Sequence, residues 1–182
     1  SAGAPVVLTN SNTVSGSTLT FNGNVTSENG SAVTDRGFVY ANHSSPTLSD
    51  TKVSVGTGAG TYTHTTANLS GGTYYVRAFA TNSTGTTYGA DQTSTITEAP
   101  TLTWAPTNTS AYVSQSPLTP SAAATSNSSG AITYAVNSAG TTNCTVNSST
   151  GVLTYTAAGN CVVRASVAAA GAYSTATLDK TF

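Results

Sequence analysis

Charge is scarce in this chain, because only 6% of its 182 residues are Asp, Glu, Lys or Arg and the formal net charge is -1. The three arginines, Arg36, Arg77 and Arg164, are scattered along the sequence. No basic patch is therefore available to bind phosphates or anionic lipid. We expect no nucleic-acid partner.

Long apolar runs are also absent. No stretch approaches the roughly 20 apolar residues that a membrane span requires, and no basic segment followed by an apolar run opens the chain. We therefore expect no membrane span, and we expect any signal peptide to have been removed.

Clusters of chemically reactive residues are the third absence. The acidic residues stand singly, so their spacing suggests neither an acid–base pair nor a calcium loop. No Gly-x-Ser-x-Gly elbow follows a strand, and "GTGAG" (residues 56–60) precedes a strand pattern, which favours a hairpin turn over a phosphate loop. The sequence predicts no enzyme and no cofactor, and we expect His43, His64 and Asp91 to carry no function.

Short strand patterns fill the chain instead. In "STLTFNGNV", Leu19, Phe21 and Val25 alternate with polar residues, which is typical of a strand with one wet face. The same period recurs in "RGFVYA", "YYVRAFAT", "AITYAV" and "CVVRASV", and Gly-, Asn- and Ser-rich turns separate these runs. The pattern predicts an all-β fold of antiparallel strands and disfavours disorder, the other interpretation of such a composition.

The chain is long enough for one large sandwich or for two of about 90 residues. In "TITEAPTLTW" (residues 95–104) one strand pattern ends, Pro100 lacks a donor for a β-ladder, and a second pattern begins. We predict two domains, residues 1–98 and 99–182.

The first half resembles a known family. "GTYYVRAFATNSTG" (residues 72–85) is similar to the sixth strand and following turn of fibronectin type III modules of secreted bacterial proteins. "VTDRGFVYA" and "PTLSDTKVSVGTGAGTYT" look like the companion strands, so the resemblance covers residues 5–97. It implies that a tyrosine at the start of the strand ties it to the preceding loop.

By position, Tyr74 takes this corner role. Tyr75 is the alternative, because Leu69 lies about one residue closer to the tyrosine than the family pattern has it. Alternation from Tyr74 predicts which side chains face inward and which face outward. The inward set is Val76, Ala78 and Ala80, and the outward set is Tyr75, Arg77 and Phe79.

The second half, from residue 101, resembles the Ig-like repeats of bacterial surface proteins and adhesins. The likeness lies in a cysteine, the hairpin "TVNSSTGVLTYT", the segment "AAGNC", and "VVRASVAAAGAYSTAT". Together the two resemblances imply two tandem Ig-like antiparallel β-sandwiches.

Cys144 and Cys161 are the only cysteines. Alternation puts Cys144 in phase with Val146, and Cys161 in phase with Val163, so both sulfurs are expected to face inward. The "SSTG" turn reverses the chain between them, which favours a disulfide over two free buried thiols. Metal binding is a poor alternative, because two thiols need further ligands and both histidines lie in the first domain. A disulfide implies an oxidising, extracellular or periplasmic location.

These features predict a non-catalytic extracellular structural protein: a stalk, repeat or filament subunit of a bacterial surface assembly or adhesin. Expected partners are neighbouring domains or copies, which would pair through weakly guarded edge strands and chain ends. The alternative is an accessory module of a secreted polysaccharide-degrading enzyme that binds glycans on exposed rings. Tyr75 and Phe79 are candidate contacts; Trp104 is a third, although we expect it to pack at the domain junction.

Overall fold

The protein is all-β. A computed structural model describes all 182 residues and contains fifteen strands, and the one helical segment is a 3-10 turn at Val113–Gln115. Every strand pair is antiparallel. No helix has the length and apolar character needed to cross a bilayer. The chain divides into two compact units, Ser1–Glu98 and Ala99–Phe182.

The first unit has eight strands in two sheets. One sheet has the order β1-β2-β5, and the other has the order β4-β3-β6-β7 with β8 also paired to β6. The strands are β1 (Val6–Ser15), β2 (Thr18–Ser27), β3 (Asp35–Ala41), β4 (Thr51–Gly56), β5 (Gly60–Thr65), β6 (Gly72–Asn82), β7 (Gly85–Tyr88) and β8 (Gln92–Ile96).

The core of the first unit takes side chains from both sheets. Phe21 of β2 packs against Phe38 and Tyr40 of β3, with ring centroids 5.4 Å and 5.3 Å apart. Leu19 and Val25, which share the inward phase of Phe21, are also buried. The alternation that predicts a half-buried strand in "STLTFNGNV" is therefore confirmed, and the two sheets face each other across this cluster.

β7 and β8 pair with successive parts of β6 on the edge opposite β3, so they form one interrupted strand. At the break, the hydroxyl of Thr9 accepts a hydrogen bond from the Ala78 N–H (2.9 Å), while the Ala78 carbonyl accepts one from the Gly89 N–H (2.9 Å). A Cβ atom at Gly89 would overlap the backbone and hydroxyl of Thr9. Glycine is needed here because β1 approaches so closely.

Asn82, at the end of β6, is only 5% exposed, and its side chain binds several chain segments. The amide oxygen accepts hydrogen bonds from two backbone N–H groups of the following turn. The amide nitrogen donates to three carbonyls, those of Gly3, Glu28 and Ser31, at 2.8 to 3.3 Å. One buried side chain therefore ties the N-terminal segment and the loop after β2 to the end of β6.

The second unit has seven strands in three small sheets. The orders are β9-β10, β11-β14-β15 and β12-β13. The strands are β9 (Leu102–Thr103), β10 (Thr125–Ser126), β11 (Ile132–Ser138), β12 (Thr145–Val146), β13 (Leu153–Thr154), β14 (Val162–Val167) and β15 (Ala176–Thr181).

The hairpin expected in "TVNSSTGVLTYT" is formed by β12 and β13. Its turn is held by the Asn147 side chain, whose oxygen accepts hydrogen bonds from the N–H groups of Ser149 and Thr150, both at 3.0 Å. Gly151 has a φ of 72°, a conformation that glycine adopts at little cost. The turn composition thus explains where the chain reverses.

The core of the second unit is built around Trp104. Its ring lies 5.1 Å from that of Tyr134 and 5.4 Å from that of Phe182, and its indole N–H donates to the Ala122 carbonyl (2.9 Å). The side chain is 5% exposed. Trp104 is therefore a core residue of its own unit. It offers no exposed ring to a glycan, so the interpretation of Trp104 as a sugar contact is wrong.

Candidate functional site

The predicted disulfide is present in the second unit. The Sγ atoms of Cys144 and Cys161 are 2.02 Å apart and the Cα atoms 6.2 Å apart, within the usual range for such a bond. Both residues are buried in the core with Val163 and Leu153. The backbone of Cys161 also exchanges two hydrogen bonds, each 2.8 Å, with Phe182 after β15. The bond therefore fixes the turn 155–161 and the end of β15 to the core.

Tyr74 ties β6 to the loop before it. The ring is buried, and its hydroxyl donates a 3.0 Å hydrogen bond to the carbonyl of Ser70. Val76, Ala78 and Ala80 are fully buried on the same face, as alternation predicts. A buried phenol with a satisfied hydroxyl stabilises both the loop and the sheet.

The predicted exposure of Phe79 is wrong. Alternation does put Phe79 on the face of β6 away from the core, but its side chain is 0% exposed. The ammonium group of Lys52, on β4, lies 5.1 Å from the centre of the ring. Gly37 lies opposite Phe79 on β3 and has no side chain, so it leaves room for other groups to approach the Phe79 ring. Long side chains cover apolar surface in this way, so Phe79 cannot offer a stacking platform.

Tyr75, the other predicted sugar contact, is partly exposed on this outer face. Next to it on β6, the guanidinium of Arg77 lies 4.5 Å from the centre of the Tyr88 ring and donates from Nε to the carbonyl of Gly89 (2.9 Å). The Asp91 carboxylate is 3.7 Å from Arg77 Nε. These polar groups bind one another, and only Tyr75 remains of the predicted stacking pair in the first unit.

His43 and Asp50 form an exposed ion pair in the loop between β3 and β4, with 3.0 Å between His43 Nε2 and Asp50 Oδ1. The hydrogen bond with the Ser44 carbonyl, and next the Asp50 carboxylate, raise the pKa of His43 above its ordinary value. The backbone N–H of Thr47, and next His43, lower the pKa of Asp50. His64, by contrast, lies on β5 with its ring 6.2 Å from that of Phe21. The histidines therefore do not meet, and no group of three His, Cys, Asp or Glu side chains is positioned to hold a metal ion.

The edge strand β1 carries an apolar, uncharged surface. Three of its side chains are large, apolar and exposed: Val6 (44%), Leu8 (50%) and Val14 (47%). Residues 1–27 contain no Asp, Glu, Lys or Arg. β2 is the one strand that forms a ladder with β1, and on the other side of β1 the side chains of Thr9 and Asn12 bond groups of β6 and β8. Proteins usually guard exposed apolar strand residues with charge, so Val6 and Leu8 are suited to contact with a partner.

The residues that precede β1 are bound within the first unit. The N–H of Gly3 donates to the Asn29 carbonyl (2.8 Å), the Asn29 side chain donates to the Ala4 carbonyl (2.7 Å), and the Thr87 hydroxyl donates to the Pro5 carbonyl (2.7 Å). This segment is therefore held within the first unit, and the exposed part of β1 consists of side chains such as Val6 and Leu8.

The C-terminal edge strand β15 is guarded by charge. Arg164 of β14 and Asp179 of β15 form two parallel hydrogen bonds of 2.7 Å and 2.8 Å, and Asn137 of β11 donates to the same carboxylate (3.0 Å). The Arg164 guanidinium lowers the pKa of the Asp179 carboxyl. Of the two predicted chain-end surfaces, β1 is thus the less protected.

Neither the protein-family models nor the curated proteins include a match to this chain.

Proposed function

We propose that this protein is a non-catalytic, extracellular structural protein, a stalk, repeat or filament subunit of a bacterial surface assembly. In this proposal the two units are tandem Ig-like β-sandwiches, the first similar to fibronectin type III modules and the second to bacterial Ig-like repeats.

Strand connectivity supports the assignment of the first unit. In Ig-like sandwiches the first, second and fifth strands share one sheet, and the third, sixth and seventh share the other. β1, β2 and β5 form one sheet here, and β3, β6 and β7 belong to the second. The Tyr74 hydroxyl bonds the backbone four residues upstream, which is the contact expected of a tyrosine corner.

The disulfide supports the extracellular location. Such bonds persist in oxidising compartments and are rare in the cytosol. Cys144 and Cys161 belong to the core of the second unit, so the crosslink adds to the stability of that core. A protein exposed outside the cell gains from a crosslink that does not depend on chaperones or turnover.

The single observation that carries the assembly role is the β1 surface, with its exposed Val6 and Leu8 side chains and no charge. A second copy of the chain can pack its own β1 surface against this one, because a two-fold contact between identical patches buries the apolar side chains of both copies.

Sedimentation of the purified protein over a concentration series tests this role. We expect the wild type to associate and Leu8→Lys to remain monomeric, because burying an unpaired charge in the contact is unfavourable. Leu48→Lys is the matched control, since Leu48 is also exposed (39%) but lies outside β1. Fibres in negative-stain images of the wild type would identify a filament subunit.

Two results would contradict the proposal. A wild type that stays monomeric at all concentrations, or a Leu8→Lys variant that associates as the wild type does, would remove the β1 edge from assembly. Cellular fractionation that finds the protein inside the cell with both cysteines reduced would reject the extracellular role altogether.

A further inference from the structure

The second unit contains an open cavity of about 510 Å³ that neither the disulfide nor the β1 edge explains. It lies between the extended segment 109–113, the turn 155–161 and the end of β15. Buried Leu153 and Cys161 form part of its floor. A cavity of this volume is in the range of small-ligand sites.

No charged side chain lines the cavity. Its polar lining includes the hydroxyls of Thr109, Ser110 and Thr181 and the amide of Asn160. Thr109 is partly exposed and the other three are exposed, and the four side chains bond no other protein group. They are available to a ligand that both donates and accepts hydrogen bonds. A phosphate, a carboxylate or a cation would find no counter-charge here, so an ionic ligand is disfavoured.

Tyr112, at the rim of the cavity, is the most exposed of the large hydrophobic residues, at 79%. Its backbone is nevertheless held on both sides. The Tyr112 N–H donates to the Gln115 side chain (2.7 Å), and its carbonyl accepts from the hydroxyl of Tyr155 (3.3 Å), itself a lining residue. The main chain that presents the ring is thus fixed before any ligand arrives, which lowers the entropy cost of binding.

We propose that this cavity binds a neutral oligosaccharide. Sugar rings present C–H groups on one face, which pack on the electron-rich face of an aromatic ring such as that of Tyr112, and they carry hydroxyls around the edge. The uncharged hydroxyls and amide of the cavity match those hydroxyls. An entirely apolar ligand would leave the same groups without partners. This inference does not rest on the structural role proposed above.

Titration of the ¹⁵N-labelled full chain with cellohexaose, maltohexaose and chitohexaose tests the proposal. We expect at least one of the three to shift the backbone resonances of residues 109–113 and 155–161. Tyr112→Ala should weaken the Kd by roughly tenfold or more, whereas Tyr112→Phe, which keeps the ring, should stay within about threefold of the wild type. Because Tyr112 is exposed, neither substitution removes a core side chain, and the fluorescence of Trp104 verifies folding.

Tyr75→Ala is the matched control, because Tyr75 is a partly exposed tyrosine of the first unit. It should leave binding unchanged. The proposal is overturned if no sugar shifts these resonances at up to about 10 mM, some tenfold above a millimolar Kd. It is equally overturned if Tyr112→Ala binds as the wild type does, if Tyr75→Ala abolishes binding, or if acidic tetragalacturonate binds as tightly as the neutral sugars.

Discussion

Cleaving the disulfide should destabilise the second unit and leave the first unchanged. Cys144 and Cys161 are 17 positions apart in the sequence. Closing a loop of that size removes conformational freedom from the unfolded chain worth about 3 kcal/mol in the chain-entropy model. We expect reduction of the wild type, or the double substitution Cys144→Ala with Cys161→Ala, to lower the free energy of unfolding of this unit by about that amount.

The fluorescence of Trp104 measures the second unit selectively. It is the only tryptophan of the chain, and it is buried against Tyr134 and Phe182 in the core of that unit. With a urea m-value of about 1 to 2 kcal/mol/M for a unit of this size, the midpoint should fall by roughly 2 M. Reduced wild type keeps both sulfur atoms, so comparison with the double alanine variant separates the crosslink from side-chain packing.

Hydrogen exchange of β6 amides follows the first unit in the same samples. We expect its protection to be unchanged, because stability effects at distant, independent sites are not shared. A Trp104 transition that moves by less than about 1 kcal/mol on reduction would refute the loop-entropy argument. An equal loss of protection in β6 would show that the two units do not unfold independently.

The remaining predictions concern the first unit. Tyr74→Phe should cost about 1 kcal/mol in urea denaturation, since it deletes one hydrogen bond and keeps the ring. Gly89→Ala should cost about 2 kcal/mol or more in the same assay, because the added methyl overlaps β1. Asp50→Ala should lower the pKa of His43 in an NMR titration while leaving it above its ordinary value, because the Ser44 bond remains. The His43–Asp50 ion pair should stabilise the loop only at pH values between the pKa of Asp50 and the pKa of His43 in the folded protein. The His43 contribution is lost as pH rises through the folded pKa of His43, and the Asp50 contribution is lost as pH falls through the folded pKa of Asp50. Asn82→Ala should unfold most readily of all these variants.

Local pattern explains the parts of the fold that the sequence predicts. The inward phase of Phe21 and Val76 follows from alternation, and the hairpin around Gly151 follows from turn chemistry. The phase of the cysteines is local as well, since Cys144 and Cys161 directly precede β12 and β14 and are buried like the apolar residues of those strands. Such features require only a few consecutive residues, so a single sequence suffices to predict them.

Features built by distant segments could not be predicted in the same way. Alternation places Phe79 among the outward-facing residues of β6, yet it is buried, with the Lys52 ammonium of another strand over its ring. The Thr9 hydroxyl bonds the Ala78 N–H at the break between β7 and β8, and this contact requires β1 to lie beside that break. The cavity rimmed by Tyr112 is formed by a segment with almost no regular secondary structure, so no period in the sequence marks it.

A sequence motif alone does not show which asparagines hold the fold together, and substitution of Asn82 tests this. Asn24 and Asn82 both begin an Asn-x-Thr sequence and are indistinguishable by motif. Asn24 is partly exposed and its side chain bonds no protein group, whereas Asn82 is buried and bonds five backbone groups. Asn82→Ala leaves those groups without a partner, which should cost roughly 2 to 4 kcal/mol in urea denaturation followed by exchange of β6 amides. Asn24→Ala, the matched control, should stay within about 0.5 kcal/mol of the wild type. Equal stability of the two variants would mean that water replaces the Asn82 amide at no cost, and that the N-terminal segment is not held by this side chain.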